Sequence, residues 1–224
     1  MFRDRVDAGR QLAQGLAQYA NRDDVLVLGI PRGGVTVAFE VAHALHAPLD
    51  ILLVRKLGTP GQRELAMGAI ASGGVRILNH RLISSLDISQ EQLAETIHEQ
   101  EAELRRREQL YRGVRAGLPV KGKIVVVVDD GIATGSSMLA AIDALRTLGP
   151  QKIVVAVPVA PAQARSQIMA VADELVCASM PEGFFAIGQF YQEFPQTEDA
   201  EIRELLSLAH QQAEAGTSEQ QGAA

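Results

Sequence analysis

Tryptophan is absent, cysteine occurs once, aromatic rings make up only 4% of the 224 residues, and positive charge is in deficit. With Cys177 alone, an internal disulfide is impossible, and the apolar setting Glu174-Leu-Val-Cys-Ala178 reads as a buried, inert thiol. Lys plus Arg number 21 against 27 Asp plus Glu, a net charge of −6, which removes any global electrostatic case for nucleic acid or an anionic membrane. A polyanionic ligand would need its cations gathered locally. No apolar run reaches the roughly 20 residues of a membrane span. The start MFRDRVDAGR lacks the apolar core of a secretory signal, so the expected location is the cytoplasm. The histidines, at 43, 46, 80, 98 and 210, are scattered with no Cys or acidic cluster beside them, which argues for helix-surface histidines over a metal cage.

What is present centres on Val125 to Ser137, VVVVDDGIATGSS. Four valines without a polar face predict a strand buried on both sides, as in the middle of a parallel sheet. Asp129 and Asp130 end it. Met138, Leu139, Ile142 and Leu145 then recur at helical spacing. The loop Gly131, Ile132, Ala133, Thr134, Gly135, Ser136, Ser137 combines glycine freedom, hydroxyls and a helix N-terminus, a composition suited to a phosphate. Like charge keeps the two acids off that phosphate. They match sugar hydroxyls instead, so a phosphate beside a diol suggests a ribose phosphate. A plain strand-turn-helix with an acidic turn is the alternative; no P-loop lysine or spaced-glycine dinucleotide fingerprint competes.

This stretch resembles the phosphoribosyl diphosphate (PRPP) signature of the type I phosphoribosyltransferases. The resemblance implies an α/β fold: a parallel-sheet core with helices on both faces, a small flap and a hood. It also implies PRPP and Mg2+ as substrate and cofactor, with transfer of a phosphoribosyl group to a nitrogen nucleophile, typically a nucleobase, and release of diphosphate. Asp129 and Asp130 would hold the ribose hydroxyls, and residues 131–137 the 5′-phosphate. No direct protein ligand to the metal is implied beyond Asp129 and Asp130 acting through water. Two other readings stay open: a PRPP-binding regulatory or sensor protein with weak catalysis, and a nucleotide-binding domain without PRPP.

Taken in order, Arg5 to Tyr19 predicts a helix with Val6, Leu12, Leu16 and Tyr19 towards the core and charges elsewhere. The strand Val25 to Ile30 ends in Pro31-Arg32-Gly33-Gly34, which is either a tight strand-to-helix turn or, by similarity to the family's xanthine/guanine branch, a diphosphate loop in which Arg32 offers a planar fork of donors. The strand Leu49 to Val54 ends in Arg55 and Lys56 before a glycine- and proline-containing loop. By the resemblance these assist the diphosphate, with Arg32, Lys56, Asp129 and Asp130 as the catalytic residues; in an extended chain Arg55 and Lys56 point to opposite sides, so one of them reaches the ligand. Met67 to Ala71 and Val75 to Leu78, joined by Ser72-Gly73-Gly74, predict a two-stranded flap, with Glu64 before it open to substrate.

Ser89 with Gln92 forms a capping box opening a long polar helix to about Arg112, with exposed ion pairs at 101/105, 103/107 and 108/112 and a thin stripe of Leu93, Ile97, Leu104 and Tyr111. That stripe is open to a partner subunit, hence to a homodimer. Lys152 to Val159, Gln163 to Val171 and Glu174 to Ala178 predict strand, helix and strand. Function should then gather beyond the carboxyl ends of a parallel sheet. Pro181 to Thr197 holds five of the nine aromatics. It is either a small core or the family's base-binding segment, with Phe185 stacking on the base and Ile187 beside its edge. The organisation expected is one domain over 1–214, with flap about 56–80, helical excursion about 81–115 and hood about 179–198, then a disordered tail over 215–224. Alanine at 133, where hypoxanthine/guanine enzymes usually carry an aspartate, leaves the acceptor open.

Overall fold

The computed structural model describes the backbone of residues 1–222, and their side chains apart from Arg63 and residues 214–222. In chain order the helices are α1 (Arg5–Gln14), α2 (Gly33–Leu45), α3 (His80–Ser85), α4 (Gln90–Arg112), α5 (Ser136–Thr147), α6 (Ala162–Met169) and α7 (Asp199–Gly222). The strands are β1 (Val25–Gly29), β2 (Leu49–Ile51), β3 (Val54–Thr59), β4 (Gln62–Ala71), β5 (Val75–Leu78), β6 (Ile124–Val128), β7 (Lys152–Val159) and β8 (Glu174–Ser179).

Five strands form one parallel sheet in the order β2-β1-β6-β7-β8. The continuous valine run has a simple cause. Alternate residues of β1 and β6 enter two different cores: Val25, Val27, Ile124, Val126 and Val128 pack under α1, α2 and α7, while Leu26, Leu28, Val125 and Val127 pack under α5 and α6. With both faces covered, every position is apolar. The chain leaves β1 towards β2 on one side and leaves β6 towards β7 and β8 on the other. The strand order therefore reverses between β1 and β6, where the loops after the two strands must open side by side. The Ile30 N–H donating to the Val128 carbonyl at 2.9 Å ties them together.

In four places the structure differs from the expected reading. The second core strand stops at Ile51; Leu52 donates to Gly29 and the chain turns away, so that Val54–Thr59 becomes the first strand of a three-stranded antiparallel flap, β3-β4-β5. Arg55 and Lys56 thus stand within a flap strand rather than at a mobile strand end. The alternation of exposed Lys56, buried Leu57 and buried Thr59 is the period-2 signal that shows it. On α1 it is Arg5 that is buried, whereas Val6 is half-buried. The apolar stripe of α4 is used within the chain: Leu93, Leu104 and Tyr111 join the core that also holds Ile202 and Leu206 of α7. α7 itself continues to Gly222, into the stretch expected to be a tail, of which positions 223 and 224 lie outside the described residues.

Other local readings match. The Ser89/Gln92 capping box is formed on both arms, and the ion pairs Glu101–Arg105, Glu103–Arg107 and Glu108–Arg112 are all made. Gly73 and Gly74 both take positive φ in the three-residue turn between the paired Ala71 and Val75, a conformation that glycine adopts without strain.

Candidate active site

The loop after β6 is built for close approach. Gly135 adopts a left-handed φ of 77° immediately before α5, turning the chain so that the first N–H groups of that helix face the loop. Thr134 Oγ1 and Ser136 Oγ lie 3.2 Å apart at its exposed rim, while Ile132 is buried and donates to Val159 O at 2.9 Å, anchoring the loop to the sheet. Ala133, Thr134 and Ser137 are exposed and Ser136 is half-buried. The loop presents hydroxyls and backbone N–H groups together, with no cation in it.

The loop after β1 meets the acids. A Cβ built on Gly34 would lie 2.8 Å from Asp129 Cα and 2.9 Å from Val128 O, and one on Gly33 would collide with Asp130 Oδ2. These two glycines are therefore required by contact with the acidic pair. Arg32 lies at the N-terminus of α2, after a cis Pro31–Arg32 peptide. With its amide oxygen turned to the guanidinium, Gln196 accepts from Arg32 Nη1 at 2.6 Å and from Nη2. Tyr111, at the far end of α4, donates to Asp199 Oδ1 at 2.7 Å, and burial, with that carboxylate second, pushes its phenol up to about 12.

Asp129 and Asp130 sit together, both half-buried, at the end of β6. Asp130 N donates to Asp129 Oδ1 at 2.8 Å, and Arg5 Nε donates to Asp130 Oδ2 at 2.8 Å. Burial, then the neighbouring carboxylate, pushes Asp129 well above the usual carboxylate range; burial also raises Asp130, and Arg5 opposes that rise. Tyr191 donates its phenol to the Asp130 carbonyl at 2.6 Å, and burial raises that phenol too.

The hood closes over this corner. Phe2 bridges Tyr191 through backbone hydrogen bonds to Phe190 and from Gln192. Phe2, Phe184, Ile187, Phe190 and Tyr191 form a small core there, and Ile187 packs over Gly131. Phe185 is the exception, 93% exposed, with no ring contact among the described residues.

The predicted cations separate. Arg55 donates from Nε to Gln100 Oε1 at 2.8 Å and lies 4.0 Å from Glu103, so α4 holds it. Lys56 is exposed on the other side and lines a groove of about 410 Å³ with Glu64, Gly68, Ser136, Leu139 and Asp143. Sequence reasoning missed Arg5, Tyr191 and Gln196. Arg5 carried no signal beyond its place in an amphipathic helix, since its partner lies 125 residues away. Tyr191 and Gln196 fell inside the aromatic segment without standing out from it.

A parallel sheet with its strand order reversed between a Gly-Gly loop and an acidic Thr-Gly-Ser loop, both under a hood, defines the phosphoribosyltransferase class of fold. The match to a family model agrees: the phosphoribosyl transferase domain covers residues 3–192, and the chain belongs to that family. It is 49% identical over 217 residues to a Mycobacterium tuberculosis protein provisionally described as a phosphoribosyl transferase, covering 96% of this chain and 49% of that protein. The chain thus spans about half the length of those curated relatives. Over 147 residues it is 29% identical to the bifunctional protein PyrR of Pelotomaculum thermopropionicum, covering 64% of this chain and 71% of that protein. The crystal structure of TT1426 from Thermus thermophilus superimposes with a TM-score of 0.82 at 43% identity, covering 92% of this chain and 97% of that one. No helix among the described residues is long and apolar enough to cross a membrane.

Proposed function

We propose that this chain binds PRPP and transfers its phosphoribosyl group to a nitrogen nucleophile, a nucleobase being the class that fits, with release of diphosphate. The observation that carries the proposal is the junction of the two loops: an acidic pair meets the Gly33-Gly34 turn on one side and continues into a phosphate-type loop on the other. A ribose lying across that junction places its hydroxyls at Asp129 and Asp130 and its 5′-phosphate at Gly131 to Ser137. Its diphosphate lies towards Pro31, Arg32, Gly33 and Gly34.

In the reaction, the bond from the anomeric carbon to diphosphate breaks with its electron pair leaving on oxygen. The acceptor nitrogen then bonds to that carbon and gives up a proton to solvent. Arg32 stabilises the departing charge, and Lys56 does so from the flap. Arg55, held by α4, serves as support. The hood and flap exclude water from the glycosyl centre. Phe185, exposed and unpaired, stacks on the acceptor base, with Ile187 beside its edge.

Mg2+, when bound, neutralises charge on the diphosphate. Asp129 and Asp130 are the residues that would hold it, through water.

Titration calorimetry with PRPP and Mg2+ tests the reading. Wild type should bind, and Asp129→Asn with Asp130→Asn, or Thr134→Val, should weaken binding at least about tenfold. Binding unaffected by these changes would overturn the assignment of the loops.

A further inference from the structure

The acidic pair has four carboxylate oxygens, and the fold uses one from each residue. Asp129 Oδ1 accepts from Asp130 N, and Asp130 Oδ2 accepts from Arg5 Nε, each at 2.8 Å. Asp129 Oδ2 and Asp130 Oδ1 accept no hydrogen bond among the described residues.

The guanidinium that occupies Asp130 Oδ2 is itself fixed from three sides. Its Nη1 donates to Pro195 O at 2.6 Å, its central carbon lies 3.8 Å from the centroid of the Phe194 ring, and the residue is only 9% exposed. Arg5 is the first residue of α1, and the N-cap Asp4 accepts from Asp7 N, so the backbone carrying it is fixed as well. A Cβ built on Gly33 would come 2.7 Å from Arg5 Nε, so diphosphate-type loop, arginine and acid share one tight junction.

Stability does not explain such a contact. A dry ion pair is often no more stabilising than an apolar replacement, because both charges lose their water. A role for Arg5 as a phosphate ligand fits poorly too, since its charge is already paired with the Asp130 carboxylate and the residue is buried. Geometry does explain it. The terminal torsion of an aspartate is broad, so an unpinned carboxylate offers either oxygen over a wide range of directions. One charged hydrogen bond sets its plane.

We propose that Arg5 is a positioning residue: by holding Asp130 Oδ2 it aims Asp130 Oδ1, alongside Asp129 Oδ2, at two adjacent hydroxyls of a sugar phosphate. The proposal rests on the ribose-phosphate reading above. It assigns the N-terminal helix to the sugar subsite and makes recognition of an intact diol, rather than of phosphate alone, the property that Arg5 controls.

The experiment is calorimetry of the full chain with D-ribose 5-phosphate and with 2-deoxy-D-ribose 5-phosphate, without metal, for wild type, Arg5→Gln and Arg5→Lys, each checked by thermal melting. Wild type should prefer the ribose compound by about 10- to 100-fold, as for one hydrogen bond to a charged group. Arg5→Gln should reduce that preference to about threefold or less by weakening the ribose compound selectively, and Arg5→Lys, which keeps one charged N–H, should recover part of it. A loss that is merely structural would weaken both sugars alike. If Arg5→Gln does not fold, Phe194→Leu, which loosens the seat of the guanidinium and keeps both charges, should give an intermediate preference. Equal preference in wild type and in the folded variants overturns the role of Arg5 and leaves the ribose-phosphate reading standing, whereas no preference in wild type overturns the placement of the sugar hydroxyls at the acidic pair and the role of Arg5 with it. Failure of wild type to bind either sugar or PRPP overturns that reading, and the role of Arg5 with it.

Discussion

Gly34→Ala tests the contact between the two loops with a single methyl group. That methyl would sit 2.8 Å from Asp129 Cα and 2.9 Å from both Asp129 Oδ1 and Val128 O, where ordinary contacts lie at 3.4–4 Å. Two of the three atoms are backbone at the end of the central strand, so the methyl cannot be accommodated by a side-chain rotation. One loop must move by about half an ångström. Overpacking of this kind costs about 1–3 kcal/mol. Helix propensity acts the other way, because Gly34 lies in the first turn of α2 and alanine there gains up to about 1 kcal/mol. The net effect on melting is thus a decrease of up to about 12 °C for a chain of this size. Activity is the sharper readout. A misplacement of about 1 Å can cost about 100-fold, so half of that predicts a fall in kcat/KM for PRPP of about tenfold. The assay is diphosphate release, with Gly183→Ala as the control, since nothing lies within 4 Å of a Cβ at that position. A Gly34→Ala protein that melts higher than wild type and keeps full kcat/KM would refute the contact argument.

Asp129→Asn should separate stability from binding. Burial and the adjacent carboxylate raise the Asp129 pKa in the folded state above its unfolded value of about 3.8, so the folded protein binds more protons in the window above 3.8 and stability falls as pH rises through it. At pH 7 the neutral isostere, which still accepts from Asp130 N, should therefore melt above wild type while losing PRPP affinity; below about pH 3.8 the melting difference should vanish. Equal melting points at pH 7 would contradict the burial argument. Arg112→Met probes a second buried pair, in which Arg112 donates to Asp50 Oδ1 at 2.8 Å and to Ile51 O at 2.7 Å where α4 meets the edge strand β2. Leaving Asp50 without its cation should cost about 3–5 kcal/mol in urea unfolding, and a loss below about 1 kcal/mol would show that the pair is dispensable.

The fold was readable where a local rule had no competitor. The valine run before Asp129 admits only a strand covered on both faces, and the Ser89/Gln92 box sets the start of α4 by itself. The continuous apolar run placed β7 to the residue. The readings that needed correction were those where neighbours in space decided the outcome. Arg55 and Lys56 looked like a strand end because Leu49 to Val54 is apolar apart from Asp50; that run comprises a short parallel strand, a turn, and the start of a hairpin strand whose partner, β4, comes later in the chain. Arg5 looked like a solvated charge because nothing near it in sequence is its partner. The acidic pair could be recognised from its spacing, whereas the groups that contact it, Arg5 and Tyr191, come from opposite ends of the domain and meet Asp130 only in the folded chain.

The most direct test of the central claim is phosphorus NMR of PRPP and Mg2+ incubated with the protein and a panel of nucleobases. Transfer predicts loss of the PRPP resonances with stoichiometric appearance of free diphosphate and a nucleoside monophosphate for at least one base, and no such change with the Asp129→Asn, Asp130→Asn protein. PRPP left intact across the whole panel, although bound, would contradict transfer and identify the chain as a PRPP sensor.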